Sequence, residues 1–140
     1  MLYGLPLTGY NPQKAYVAHP RATLMPVLTK RVYEPREPSD GFRLLVMRYW
    51  PRGIAKARID GWNKGLSPSI ELLRGLRSGD IAWQEYVHRF LWEMESRDDA
   101  VVAISLLREQ ARTEIVTLLC WCKDFLHCHR TLLKGIVEQS

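Results

Sequence analysis

The sequence EIVTLLCWCKDFLHCHRTLLKGIVEQS, residues 114–140, decides the fold of this chain. Residues 115–122 form a continuous apolar run, with the length and flanks expected of a strand buried on both faces. From Phe125 onward the apolar spacing becomes helical, and His129, Leu133 and Val137 fall on one side. The segment therefore predicts a buried strand followed by a helix, and it carries all three cysteines and two of the four histidines of the chain.

Size and composition indicate a single α/β domain. A chain of 140 residues with 46% hydrophobic and 25% charged residues is ordinary for one globular core. We expect a compact domain over residues 24–140, with a small, mostly parallel sheet flanked by about four or five helices. Residues 1–23 have no sustained period and are predicted to form an N-terminal arm.

The chain lacks membrane and export signals. No apolar run reaches the length of a spanning helix, and the first thirty residues have no signal-peptide pattern. Three clustered cysteines are not an extracellular disulfide framework, so free thiols are expected. We predict a cytoplasmic protein with no membrane partner; its oligomeric state stays open.

The other predicted elements follow in order along the chain. Strands are expected at residues 24–33 and 42–49. Three helices follow, with starts predicted at Ser67-Pro68, at Gly79-Asp80 and at a capping box of Ser96 with Asp99. Their apolar stripes are typical of core faces rather than of cofactor contacts. The expected inward residues include Ile70, Leu73, Leu76, Trp83, Val87, Phe90, Met94, Ala100, Ile104, Leu107 and Ala111.

An unusual group, Arg-Tyr-Trp-Pro-Arg-Gly at residues 48–53, ends the second strand. Pro51 restricts Trp50 to extended geometry, and Gly53 can adopt backbone angles closed to other residues. Such a turn presents Arg48 and Arg52 from a fixed backbone, and guanidinium groups bind carboxylate or phosphate in a bidentate fork. The alternative is that Trp50 covers the core while the arginines are solvated or paired with acids.

The junction after the last strand is the other candidate site. Asp124 is predicted to cap the last helix, whose first turn would lie at residues 125–128 near the carboxyl edge of the sheet. Cys122 would sit at the mouth of this site as a nucleophile. His129 would carry a proton, and Arg130 would receive an anion.

Three alternatives compete at this junction. Cys120 and Cys128 can be small buried hydrophobes, with His129 a core histidine. A zinc site is disfavoured because His127, Cys128 and His129 would fan out around a helix. A phosphatase loop is not supported, since seven residues rather than five separate Cys122 from Arg130. We therefore predict no metal and no cofactor.

Several short sequence motifs of this chain together resemble those of the YeaO-like group of domain-of-unknown-function family 488. The resemblance covers roughly residues 28–138, and Met47 stands where members of that group usually carry an acid. It implies a small α/β protein of bacteria or archaea with no established biochemical role. The matching motifs are Lys30-Arg31-Val32-Tyr33, Pro38-Ser39-Asp40-Gly41, residues 48–53, Leu66-Ser67-Pro68-Ser69 and the ending Cys120, Lys123-Asp124 and His127-Cys128-His129-Arg130.

The leading hypothesis is a pocket for a phosphate-bearing or other anionic small ligand, where the second and last strands end. Arg48, Arg52 and Arg130 would bind the anion, and Cys122 and His129 would act in any reaction. The residues expected to shape the pocket are Trp50, Pro51, Gly53 and Asp124.

Two other classes of function remain open. One is a nucleic-acid-binding module, because residues 1–60 hold ten Lys or Arg against four acids, a net +6, whereas residues 61–140 hold ten against eleven. The other is a non-enzymatic interaction protein whose helices pack against a partner.

Overall fold

The computed structural model describes residues 26–139. The predicted arm, residues 1–23, lies outside the described residues. No helix within the described range is long and apolar enough to cross a membrane.

Four parallel strands form one sheet in the order β1-β4-β2-β3. Their bounds are β1 Val27–Arg31, β2 Phe42–Leu45, β3 Gly61–Trp62 and β4 Val116–Cys120. The three strands predicted from the sequence are present but shorter than expected, and β3 was not predicted. All five residues of β4 are buried, as its apolar run predicts, because β4 pairs with a strand on each side and is covered on both faces.

A glycine lets the chain enter β2. Gly41 has φ 63°, a left-handed conformation that favours glycine, and a side chain there would collide with the carbonyl of Ile115. The same carbonyl accepts a hydrogen bond from the backbone N–H of Phe42 at 2.8 Å. This close approach sets the start of β2 against the start of β4.

Four α-helices complete the fold that the sequence predicts. They are α1 Ile70–Ser78, α2 Trp83–Ser96, α3 Asp98–Ala111 and α4 His129–Glu138. Helices α1, α2 and α3 connect β3 to β4, and α4 follows β4. Short 3-10 turns occupy Pro38–Asp40, Lys56–Arg58, Lys64–Leu66 and Phe125–His127.

The predicted helix starts were wrong in detail. The N-cap of α1 is Ser69, whose hydroxyl accepts from the N–H of Leu72, and Ile70 points outward while Leu72 is buried. Helix α2 begins at Trp83 rather than at Gly79-Asp80. The N-cap of α3 is Arg97, whose side chain pairs with Asp99. Arg97 also donates to the carbonyls of Ser67 and Gly65, so a tertiary contact takes part at the start of α3.

Two apolar cores lie on the two faces of the sheet. The larger joins Leu44, Val46, Val116 and Leu118 to the inward faces of the helices, and it includes the predicted α3 stripe. The smaller joins Leu45 and Leu119 to residues of the loops. The helices therefore cover one face, and the connecting loops around Val32 and Ile54 cover the other.

The loop-covered face also holds charged residues, which we call the buried ion network: Lys30, Glu37, Asp40 and Arg43. Arg43 and Asp40 are almost fully buried, and Arg43 Nη1 lies 2.6 Å from Asp40 Oδ2. Lys30 Nζ lies 2.9 Å from carboxylate oxygens of both Glu37 and Asp40. Two cations thus share Asp40 and fix the loop before β2 against β1.

Candidate functional site

The carboxyl ends of β2 and β4 border a cavity of about 50 Å³. It is lined by residues 47–49, which follow β2, by residues 120–122, at the end of β4, and by residues 127–129. Parallel strands bring their carboxyl ends to one edge, where open α/β sheets bind ligands. The motif that begins at Arg48 and the junction after β4 therefore lie at the same edge of the sheet. Arg48, Cys122 and His129 line one cavity there.

Three cysteines and one histidine form what we call the thiol cluster: Cys120, Cys122, Cys128 and His129. The sulfurs of Cys120 and Cys122 lie 3.7 Å apart, and Cys128 Sγ lies 3.9 Å from His129 Nδ1. Ligand-type atoms of Cys120, Cys128 and His129 all lie within 4.8 Å of one another. All three cysteines are free, as predicted, and Cys122 is the half-buried one.

The chain geometry after β4 gathers these residues. Asp124 accepts from the N–H of Leu126 and caps the 3-10 turn Phe125–His127, not the last helix. Cys128 then has extended angles, φ −138° and ψ 142°, and is the N-cap of α4, which begins at His129. The predicted first turn at residues 125–128 was therefore wrong.

The three consecutive residues 127–129 do not share a helix. The expectation that they fan out around one helix, which disfavoured a zinc site, was therefore also wrong. His127 is exposed, and its Nδ1 lies 2.6 Å from Asp124 Oδ2. Cys128 and His129 instead turn inward and are buried. The extended Cys128 separates the one outward histidine from the one inward histidine.

His129 has a defined tautomer. Its Nε2 lies 2.7 Å from the carbonyl oxygen of Val46, and because a carbonyl can only accept, Nε2 carries the proton. Nδ1 then holds a lone pair when the ring is neutral. Burial lowers the pKa of His129, which favours this neutral form. His129 thus connects β2 to the thiol cluster and offers Nδ1 to it.

The thiols differ in acidity. Hydrogen bonds from the thiols of Cys120 and then Cys128 lower the pKa of Cys122, and the charge of Arg130 adds to the effect. The hydrogen bond with Cys122 raises the pKa of Cys120, and Cys120 and Cys122 likewise raise the pKa of Cys128. Cys122, the sulfur with the most access to solvent, therefore has the lowest pKa of the three thiols.

Arg130 supports the cluster from behind. It is only 3% exposed, and its Nη1 donates to the carbonyl oxygens of Cys122 at 2.9 Å and of Cys120 at 3.4 Å. Its Nε has no hydrogen-bond partner among residues 26–139. Arg130 thus positions the backbone that carries two of the thiols.

The three arginines predicted to bind an anion occupy different places. Arg48 lines the cavity, and its Nε and Nη2 donate to the carbonyl of Pro68 at 3.2 and 2.8 Å. Arg52 is exposed and is not among the described residues that line this cavity. Arg130 is buried against Cys120 and Cys122. Of these three arginines, only Arg48 therefore lines the cavity.

Two residues missed from the sequence also line the cavity. The guanidinium carbon of Arg77 lies 5.7 Å from the ring centroid of Trp121. Tyr86 is 2% exposed and lines the cavity from α2. Burial and the nearby thiols raise the pKa of Tyr86. Helical spacing from Trp83 and Phe90 places Tyr86 on the inner side of α2, but nothing local shows that it lines the cavity.

The Trp-Pro-Arg-Gly turn builds a different surface. Trp50 Nε1 donates to the carbonyl of Ile54 at 2.9 Å, and its ring packs edge-on against Trp62 at 5.4 Å. Pro51 is buried, and Gly53 has φ 78°, as predicted for this turn. Trp50 and Trp62 line a separate groove of about 810 Å³ beside β3.

Several basic side chains of the first half are engaged within the fold. Arg36 forms a two-pronged contact with Asp60 at 2.9 and 3.0 Å. Arg58 donates to the carbonyls of Tyr33 and Glu34, and Lys30 and Arg43 belong to the buried ion network. Within the described residues, these basic side chains therefore hold loops against the sheet.

Comparison with known proteins gives consistent family matches. A family model described as the active DUF488-N3 subclade matches residues 27–140. The uncharacterised protein YeaO of Escherichia coli K12 is 33% identical over 111 residues, covering 78% of this chain and 94% of its own length. Uncharacterised proteins of Mycobacterium bovis and Mycobacterium tuberculosis are 33% identical over 114 residues, 80% of this chain and 93% of theirs. No solved structure matches.

Proposed function

This chain belongs to the active DUF488-N3 subclade of family 488, and from that premise we propose that it binds a small anionic ligand at the carboxyl ends of β2 and β4. The single observation that supports this function is that Arg48, Arg77 and Tyr86 line one cavity beside the thiol cluster. Guanidinium groups and a hydroxyl are donors suited to phosphate or carboxylate oxygens.

The size of the cavity limits what enters it. A volume of about 50 Å³ is room for about two water molecules. Only a charged head group fits inside, so the rest of the ligand lies at the opening. Tyr49 and Trp121 line the cavity and are 55% and 42% exposed, which offers flat apolar contacts there.

The thiol cluster supplies the chemistry in this proposal. Cys122 and His129 line the same cavity as Arg48, and Cys122 is the most accessible of the three thiols. The description of the subclade as active supports a reacting site rather than a purely structural one. The three free thiols also support the predicted reducing, cytoplasmic compartment.

Thermal unfolding with inorganic phosphate and sulfate tests the proposal. We expect both anions to raise Tm of the wild-type protein, and we expect this shift to be lost in Arg48→Gln and in Arg77→Gln. Arg52→Gln is the matched control, since Arg52 lies outside the cavity. Because Arg48 also holds the Pro68 carbonyl, each shift is measured against the Tm of the same variant without anion.

Two results would contradict this function. One is the absence of any shift in the wild-type protein at millimolar anion. The other is an equal loss of the shift in Arg48→Gln and Arg52→Gln. A single-stranded oligonucleotide that stabilises all variants equally, with a steep loss on raising salt, would point to nucleic-acid binding by the basic half instead.

A further inference from the structure

We propose that the thiol cluster is a binding site for one divalent ion of the zinc class, with Cys120, Cys122, Cys128 and His129 as its four ligands. Thiolate sulfur and neutral imidazole are the donors that select zinc, and a set of three cysteines and one histidine is an established structural combination. One helix through residues 127–129 would have kept these donors apart, but Cys128 is extended and the helix begins only at His129.

The donor spacings are close to those of a tetrahedral zinc site. With zinc–sulfur bonds of about 2.3 Å, two sulfurs in a tetrahedral site lie about 3.8 Å apart. The Cys120 and Cys122 sulfurs are 3.7 Å apart, and Cys128 Sγ is 3.9 Å from His129 Nδ1. The donors of Cys120, Cys128 and His129 all lie within 4.8 Å of one another, and Cys122 joins this group through its contact with Cys120.

His129 is already oriented as a ligand. Metal-bound histidines usually donate their second ring N–H to a carbonyl or carboxylate, which fixes the tautomer and the ring. Here Nε2 donates to the Val46 carbonyl at 2.7 Å, so the Nδ1 lone pair is the one left for an ion. His127, whose Nδ1 contacts Asp124 at the surface, is not part of the set.

Charge balance also favours an ion. Three thiolates and a divalent cation carry one negative charge together, and the buried guanidinium of Arg130 supplies one positive charge. Arg130 donates to the carbonyls of Cys122 and Cys120, so it holds two ligands in place while it offsets their charge. Cys122 is the half-buried ligand, and through it the ion would border the cavity that contains Arg48 and Arg77.

Cobalt titration of the reduced, chelator-treated full chain tests this site. Co²⁺ replaces zinc, and its visible and near-ultraviolet absorption reports tetrahedral geometry and the number of thiolates. We expect uptake of a single equivalent with intense tetrahedral bands that zinc abolishes. Cys122→Ser should reduce the thiolate absorption by about one third, because two of three thiolates remain.

Matched histidine variants locate the nitrogen ligand. His127→Ala should leave the cobalt spectrum unchanged, whereas His129→Ala should weaken binding and alter the bands. If His129→Ala fails to fold, as judged by circular dichroism, Cys128→Ser serves as the second variant and should lose about a third of the thiolate absorption.

Clear results would overturn the site. These are no stoichiometric uptake by the wild-type protein, a weak octahedral spectrum, an unchanged spectrum in Cys122→Ser, or equal effects of His127→Ala and His129→Ala. The thiols would then be small buried hydrophobes. The phosphate experiment is independent of this result, because it measures Arg48 and Arg77 in protein kept free of metal.

Discussion

The buried ion network and the thiol cluster are two polar groups packed against the same sheet. They differ in how fully their polar atoms are hydrogen-bonded. In the network, the Arg43 guanidinium donates from Nη1 to Asp40 at 2.6 Å, from Nε to the Arg58 carbonyl at 2.8 Å and from Nη2 to the Glu34 carbonyl at 3.2 Å. In the cluster, thiols bond mainly to one another. Beside it, Arg130 Nε is buried and has no hydrogen-bond partner among residues 26–139.

This difference separates a structural group from a binding group. A buried polar group with all its partners stabilises the one arrangement that satisfies it. A buried donor without a partner loses free energy relative to water, and a ligand can recover that loss. The network is therefore expected to determine stability, and the cluster with its cavity is expected to determine binding.

The largest expected effect is the loss of stability in Asp40→Ala. Removing the carboxylate leaves Arg43 buried without its ionic partner, and breaking such a pair costs about 3–5 kcal/mol. The free energy of unfolding from urea titration measures it. Glu85→Ala is the control, since Glu85 pairs with Arg89 at the surface, where both side chains are about half exposed.

Equal effects of Asp40→Ala and Glu85→Ala would mean that the network contributes no more to stability than a surface ion pair. We expect Arg43→Met in the same chain to restore part of the stability that Asp40→Ala loses. Such a rescue identifies the uncompensated charge of Arg43, rather than the lost volume of Asp40, as the cause.

A second effect appears in acid. Burial alone would raise the pKa of Asp40, but hydrogen bonds from Lys30, the Glu37 backbone and Arg43 hold it below its ordinary value. A carboxyl with a lowered folded pKa stabilises the protein above its unfolded pKa of about 4 and loses that contribution as pH falls through the folded value. Wild-type stability should therefore decline below pH 4 more steeply than that of Asp40→Asn. Urea titrations between pH 6 and pH 3 measure both, and parallel curves would exclude Asp40 as the titrating group.

The elements that periodicity governs could be predicted from the sequence. The run before Cys120 predicts a strand buried on both faces because a central parallel strand has no solvent face, and the stripe of Ala100, Ile104, Leu107 and Ala111 predicts the inner side of α3. Both are confirmed. The meeting of Arg48 with Cys122 also followed from the rule that parallel strands share a carboxyl edge.

The details of the site could not be predicted because nonlocal contacts decide them. Cys128 is extended although no turn residue marks it, and this one conformation brings His129 inward. Arg130 resembles an anion receptor in sequence, yet the carbonyls of Cys120 and Cys122 use its donors. Arg52 has the same local signal as Arg48 but is exposed and lies outside the cavity.

A third effect concerns access to the thiols. Cys120 and Cys128 are each 2% exposed, whereas Cys122 is half-buried at the cavity. Iodoacetamide should therefore modify Cys122 in the native, metal-free protein about ten times faster or more than the other two, which require local opening. Peptide mass spectrometry measures the three rates. Similar rates for all three thiols would mean that the cluster opens as a unit, unlike the ion network.

The smallest expected effect is also the most direct test of the comparison. Tyr86→Phe removes one hydroxyl from a residue of the cavity wall and keeps the buried ring, so the free energy of unfolding should change by less than about 0.5 kcal/mol. Ser69→Ala removes a hydroxyl that caps α1 and lies 2.5 Å from Glu93 Oε2, and it should cost about 1 kcal/mol. The thermal shift with phosphate should reverse this order, with Tyr86→Phe weakening the shift and Ser69→Ala preserving it. If Tyr86→Phe instead destabilises the protein as much as Ser69→Ala and leaves the phosphate shift intact, the hydroxyl serves the fold, and the cavity lacks one of its proposed donors.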